Sequence, residues 1–275
     1  LTLPTSSNGL EILHPGASAR KARVALFDFD GTLSLIRAGW ANVMLPMMVE
    51  ELSAQNSGES EAELAAVARE FVDRLTGKQT IYQMIELARQ VELRGGTPKD
   101  PLVYKHRYLD LLHERIKGRL KALETGAEPP ETYLVPGSIA LLEALRARGL
   151  KLYLASGTDE PYMKREADLL QVTRYFNGGV FGALDNYKTF SKKILIDRII
   201  TSSECRGDEF LAFGDGYVEI ENIKGVGGVA VGVATEEEKC LTVDAWKRNR
   251  LAGVGADYIM PNYLALQPLL DQLFG

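Results

Sequence analysis

The stretch Arg23–Thr32, RVALFDFDGT, decides how the rest of the chain is read. Its apolar run is short and lacks polar alternation, the pattern of a strand buried on both faces in a parallel sheet. Asp28 and Asp30 close it, and Gly31 permits a sharp exit. Side chains alternate along extended backbone, so the two carboxylates point the same way while that geometry lasts. Such a pair is costly unless a cation or a proton offsets the repulsion, and hard, oxygen-seeking Mg²⁺ is the natural partner. Standing alone, the same residues would also suit a polar strand end and its turn.

Outward from this strand the texture changes twice. Residues 1–22 read as an irregular lead-in. From 35 to 125 helical periodicity dominates, with candidate helices over 38–55, 59–75, 80–93 and 101–123. Pro46 predicts a kink or break in the first, and Ser60 with Glu63 a capping box on the second. After Tyr133 apolar runs alternate with helical ones. Strands are expected at 151–155, 179–182, 209–213, 228–233 and 256–260, and helices at 138–148, 160–170, 189–200, 218–224, 236–251 and 263–274. That alternation implies a doubly wound parallel α/β sheet covered on both faces. The expected organisation is a core of residues 1–34 and 126–275 with an inserted all-helical domain over 35–125.

Ligands of open α/β sheets bind beyond the carboxyl ends of the strands. After the second strand stand Ser156 and Gly157, a hydroxyl and free N–H groups before a helix. They can cradle an anion, although Thr158 or Asp159 in an ordinary helix cap explains the stretch equally well. After the strand at 209–213 stand Gly214, Asp215 and Gly216, with Glu219 in the first turn of the next helix. Lys192 precedes Leu195, Ile196 and Ile199 by helical offsets, so it falls on a buried face where an unpaired ammonium is expensive. Lys188 and Lys193 are the rival lysines.

Together these residues resemble the haloacid dehalogenase superfamily, in its phosphatase branch with a helical type 1 cap, like phosphoglycolate phosphatase and β-phosphoglucomutase. The resemblance rests on Asp28-Phe29-Asp30-Gly31-Thr32, Ser156-Gly157, Lys192, and Gly214-Asp215-Gly216 with Glu219. It implies a Rossmann-like core and a Mg²⁺-dependent phosphatase acting through an aspartyl-phosphate on Asp28, with Asp30 as general acid and base. Asp28, Asp30 through its backbone carbonyl, and Asp215 would hold Mg²⁺. Glu219 would act through a metal-bound water or on the lysine. Ser156 and Gly157 would hold the phosphoryl oxygens, and Lys192 would neutralise their charge. Family members working on carbon lack the second aspartate, so Asp30 points to phosphorus. The helical block would choose the substrate, with Arg37, Lys78 and Gln79 as candidate ligands; each also suits a solvated surface or turn. A sugar phosphomutase and a non-catalytic binding protein of the same fold are the alternatives.

Composition sets the outer limits. The 275 residues carry 37 acidic and 32 basic side chains, a net charge of −5, which disfavours nucleic acid and anionic membranes as partners. A small phosphorylated metabolite is the expected partner; no pattern assigns an oligomeric state. No apolar run has the length of a membrane helix. Two cysteines, Cys205 and Cys240, exclude a disulfide framework. With no signal-peptide pattern, they predict a reducing, cytoplasmic setting.

Overall fold

The computed structural model describes residues 9–275 apart from 185, 187, 188, 190 and 204, and apart from the side chain at 203. Glu11–Ile12 forms a short strand, β1, and Val24–Phe27 forms β2, all four of whose side chains are buried. Lys151–Asp159 (β3), Gly179–Ala183 (β4), Phe210–Gly214 (β5), Val229–Val233 (β6) and Tyr258–Met260 (β7) complete the sheet among the described residues. The order is β1-β7-β6-β5-β2-β3-β4, parallel throughout except for β1, which pairs antiparallel with β7. The central strand β2 therefore has β3 on one side and β5 on the other. In register, Phe27 stands opposite both Leu154 and Phe213. The three strands thus run level at Phe27, Leu154 and Phe213, and a residue or two beyond that line Asp28, Ser156 and Asp215 stand at one place.

Alternation puts the side chains of β2 on two apolar layers. Val24 and Leu26 join Tyr153, Phe210 and Ala212 on one face, under Leu195, Ile196 and Ile199 of α7 (Lys192–Ser203) and Ile220 and Ile223 of α8 (Tyr217–Gly225). On the other face Phe27 stacks on Phe213 at 4.6 Å between centroids, with Phe176 and Tyr263 edge-on to the pair. Helix α5 (Ser138–Ala147), α6 (Glu160–Leu169), α9 (Ala245–Gly253) and α10 (Leu266–Phe274) complete this unit.

The chain divides into two compact units, Leu1–Ala38 with Ala122–Gly275, and Gly39–Lys121. The first contains the sheet. The second is helical: α1 (Ala41–Ser53), α2 (Glu61–Leu75), α3 (Thr80–Leu93) and most of α4 (Pro101–Thr125). The sheet unit closes on itself across the two junctions by backbone pairing. Leu35 N–H donates to Tyr133 O at 2.8 Å and Val135 N–H to Leu33 O at 2.9 Å. No helix among the described residues is long and apolar enough to cross a membrane.

Several elements differ from their sequence expectations. The lead-in contributes strand β1, too short to carry a periodic signal. Helix α1 runs through Pro46, which is exposed, while Met44, Met47, Met48 and Leu52 are buried. The helix expected over 236–251 begins only at Ala245: Thr235 and Val243 bridge, and Asp244 caps. Its glutamate-rich start, Glu236–Glu238, matched helical composition while its backbone bonds are spent on a loop. Helix α7 begins at Lys192 rather than 189, and β3 continues past Ala155 to Asp159. The compact units divide after 38 and after 121, so Arg37 belongs to the sheet unit.

Candidate active site at the carboxyl ends of the central strands

Asp28 leaves β2 with its N–H bonded to Phe213 O at 2.9 Å, so pairing with β5 still holds its backbone. Its Oδ1 accepts from the Phe29 N–H and lies 2.8 Å from Lys192 Nζ. Lys192 is 5% exposed and reaches equally to Glu219 Oε2 at 2.8 Å. Burial works against its charge, but Asp28 and Glu219 outweigh burial and raise its pKa. Leu195, Ile196 and Ile199 are buried, as the helical phase requires. Lys193 instead pairs with Asp197 at the surface, and Lys188 lies outside the described residues.

Two glycines admit the carboxylates. Gly31 has φ +73°, and a Cβ there would collide with the Asp215 carboxylate. At Gly214 a Cβ would collide with Glu219. Thr32 ties the two loops together: its hydroxyl accepts from Asp215 N–H at 2.9 Å, and its carbonyl accepts from the buried Tyr263 hydroxyl at 2.9 Å. Asp28, Asp215 and Glu219 can each offer an oxygen within 4.8 Å of the others. Glu219, fully buried in the first turn of α8, has both oxygens engaged: Oε1 by Gly216 N–H at 2.8 Å and Oε2 by Lys192. Burial pushes its pKa up to about 8 against the pull of Lys192. Asp215 is also raised by burial, with Lys247 opposing.

Asp30 faces the neighbouring strand. Its Oδ2 accepts from the Thr158 hydroxyl at 2.8 Å and, at 3.4 Å, from Ser156. Its Oδ1 is buried without a hydrogen-bond partner. Burial drives its pKa up to about 7, Arg37 pulls it down and Glu166 pushes it up. Ser156 is 1% exposed and accepts from Thr158 N–H at 3.0 Å; Gly157 lies between them, half-buried. The extension of β3 brings Thr158 to Asp30, and Asp159, at the start of α6, makes no side-chain capping bond.

Arg37 does not stand on a helical surface. It is buried beside Asp30, 3.9 Å from Oδ1, and its guanidinium grips Glu166 of α6 with contacts of 2.7–3.2 Å. Lys78 and Gln79 belong to the helical unit, at the turn between α2 and α3, where Lys78 is exposed and Gln79 buried. Sequence reasoning missed three participants. Thr158 had a signal, a hydroxyl one alternation beyond Ser156. Glu166 had a weak one, a carboxylate on the inner side of an amphipathic helix. Lys247, 3.0 Å from Asp215 Oδ2, had none.

A family model described as haloacid dehalogenase-like hydrolase matches residues 22–227. The chain belongs to the haloacid dehalogenase-like hydrolases. No curated protein matches it. Among solved structures, this hydrolase is similar to a haloacid dehalogenase-like protein of unknown function from Agrobacterium tumefaciens, with 14% identity, TM-score 0.59, and 91% of this chain and 98% of that one covered. It is also similar to a predicted phosphoglycolate phosphatase from Haemophilus somnus, with 14% identity, TM-score 0.55, and 90% and 98% covered. A predicted phosphatase from Clostridium acetobutylicum gives 18% identity, TM-score 0.57, and 92% and 99% covered. At these identities the likeness is one of fold. The matched range spans β2 to α8, so this hydrolase carries its helical unit within it and α9 and α10 beyond it.

Proposed function

We propose that the protein is a Mg²⁺-dependent phosphatase that hydrolyses a small phosphomonoester through an aspartyl-phosphate on Asp28. One observation carries the reading: Asp28 and Asp30 leave the same strand but enter different environments. Asp28 is held by Lys192 and the Phe29 N–H, an ammonium and an amide donor that both fix its Oδ1. Asp30 is half-buried, its Oδ1 enclosed without a hydrogen-bond partner, and desolvation pushes its pKa up to about 7, the surroundings of an acid that keeps its proton near neutrality. A carboxylate oriented by an ammonium, two residues from an acid that holds its proton, is the arrangement of a nucleophile beside a general acid.

The cluster suits a divalent cation. Its donors are hard carboxylate oxygens, and Gly31 leaves room for Asp215 where any larger residue would intrude. Asp28 and Asp215, with the Asp30 carbonyl, would hold Mg²⁺. When bound, the ion would supply Lewis-acid polarisation of the phosphoryl oxygens. Glu219, with both oxygens engaged, fits better as the partner that fixes Lys192 than as a direct ligand.

An Asp28 oxygen attacks phosphorus as the ester P–O bond breaks. Asp30 gives its proton to the leaving alkoxide, then takes one from the water that attacks the phosphorus of the acyl phosphate. Inorganic phosphate departs and Asp28 is restored. Lys192 offsets the charge gathered on Asp28 and the phosphoryl group, while Ser156 and the Gly157 N–H are the candidate donors to its oxygens. In this reading the choice of leaving group falls to the helical unit, with Lys78 and Gln79 as candidate ligands. Arg37 is reassigned from substrate ligand to partner of Glu166.

The test is phosphate release from a panel of small phosphomonoesters with Mg²⁺ and with EDTA, beside Asp28→Asn. Release should require Mg²⁺ and fall by roughly a thousandfold or more in the variant. Release that survives both EDTA and the substitution would sink the proposal.

A further inference from the structure

One cation of the cluster has no part in the reaction above. Lys247 Nζ lies 3.0 Å from Asp215 Oδ2 and 2.7 Å from Glu237 Oε1, with its side chain 13% exposed. It is the third residue of α9, after the N-cap Asp244, whose carboxylate accepts from the Lys247 N–H at 2.9 Å. The first turn is the positive end of a helix and favours acids. Burial and the helix dipole therefore both oppose this ammonium, and among the described residues Asp215 and Glu237 are the carboxylates paired with it. The backbone fastens it in place. Asp244 N–H donates to Ala234 O at 2.8 Å, at the end of β6. One turn beyond Trp246, Arg250 lies over the ring of Tyr217, 4.5 Å from its centroid and two residues after Asp215. Lys247 also lies beyond residues 22–227, the range the family model matches.

We propose that Lys247 is a resident counter-cation of the metal site, one that occupies Asp215 and competes with the divalent ion for it. The inference rests on the metal reading of Asp28 and Asp215. An ammonium 3.0 Å from a ligand carboxylate satisfies that carboxylate while the metal is away and repels the dication when it arrives. Lys247 thus stabilises the metal-free cluster and weakens metal binding, so that occupancy follows the free cation concentration. Glu237 moderates the effect by sharing the ammonium charge.

The experiment uses the full chain and Mn²⁺ as the probe, with free Mn²⁺ read by electron paramagnetic resonance. Lys247→Met should bind Mn²⁺ about tenfold tighter or more than the parent, because an uncharged chain of similar length no longer repels it. Lys247→Arg should stay near the parent. In EDTA the Met variant should melt lower than the parent, and saturating Mn²⁺ should narrow or reverse the gap; a merely structural lysine would leave the gap unchanged. Glu237→Gln gives an independent reading with the opposite sign, because the ammonium charge then falls on Asp215 alone and Mn²⁺ binds more weakly. Mn²⁺ binding by Lys247→Met no tighter than by the parent overturns the proposal and leaves the metal site standing. Absence of Mn²⁺ binding in both the parent and Lys247→Met overturns both.

Discussion

Asp28 and Asp30 show how two identical side chains, two residues apart, are set to different tasks. Oδ1 of Asp28 has a lysine and a backbone N–H; Oδ1 of Asp30 is buried without a hydrogen-bond partner. Burial is the main reason that the Asp30 pKa rises to about 7. As a general acid it must carry its proton when the leaving oxygen departs. For an alkyl phosphate, kcat/KM should therefore decline as pH rises through about 7. Asp30→Asn should abolish that limb and slow the alkyl ester by roughly 10²–10⁴-fold, the usual worth of a positioned acid. A nitrophenyl ester, whose leaving group needs little protonation, should suffer less. A limb that persists unchanged in the Asn variant would assign it to another group. The pairing of these aspartates was legible in RVALFDFDGT, because alternation on a strand is a local rule. Their different environments were not, since Thr158, Arg37 and Glu166 reach Asp30 only through the sheet and α6.

At the scale of elements, the link between the loop after β2 and helix α6 carries the most electrostatic consequence. Arg37 and Glu166 form a buried pair at the edge of Asp30, 7% and 2% exposed. Breaking a buried pair typically costs about 3–5 kcal/mol, and Asp30, 3.9 Å from Arg37, offsets part of that cost here. Glu166→Gln should lower stability on that scale, read by denaturant unfolding. It should also move the alkyl-ester limb toward lower pH. The sign follows from the two influences on Asp30: Glu166 raises its pKa and Arg37 lowers it, so the variant leaves Arg37 unopposed. A limb that stays in place would show that the pair serves packing alone. Elements with strong local signals were legible: the Ser60–Glu63 capping box forms at the start of α2, and α3 spans the expected residues. Helix α9 was not, because its glutamate-rich approach matches helical composition while Asp244 and the Thr235–Val243 bridge set the real start. Lys247 went unseen for the same reason: nothing local marks a surface-type residue that the chain folds back onto Asp215.

For the molecule as a whole, the residues just past the aligned Phe27 and Phe213 of β2 and β5 gather more negative charge than the neighbouring ammoniums offset. Asp28, Asp215 and Glu219 meet two ammoniums, Lys192 and Lys247. The imbalance makes stability depend on pH in a direction opposite to ordinary acid denaturation. Burial raises Asp30 to about 7 and Glu219 to about 8, and raises Asp215 as well, whereas the unfolded chain titrates near 3.8 to 4.5. Between those limits the folded state binds more protons than the unfolded one, so the free energy of unfolding falls as pH rises. In EDTA the melting temperature should therefore drop from pH 5 to pH 8. The exposed carboxylates with lowered pKa values, such as Glu63 held by the Ser60 N–H, lose their contribution only below the unfolded value and leave this window undisturbed. Mg²⁺ favours the ionised carboxylates, so saturating ion should flatten the slope and raise stability most at pH 8. At a hundred times its dissociation constant the gain at a given pH is about 2.7 kcal/mol. Calorimetry at several pH values, with EDTA and with Mg²⁺, reads both effects at once. Parallel curves in the two conditions would mean that these carboxylates do not share a cation, and the metal reading would fail with them.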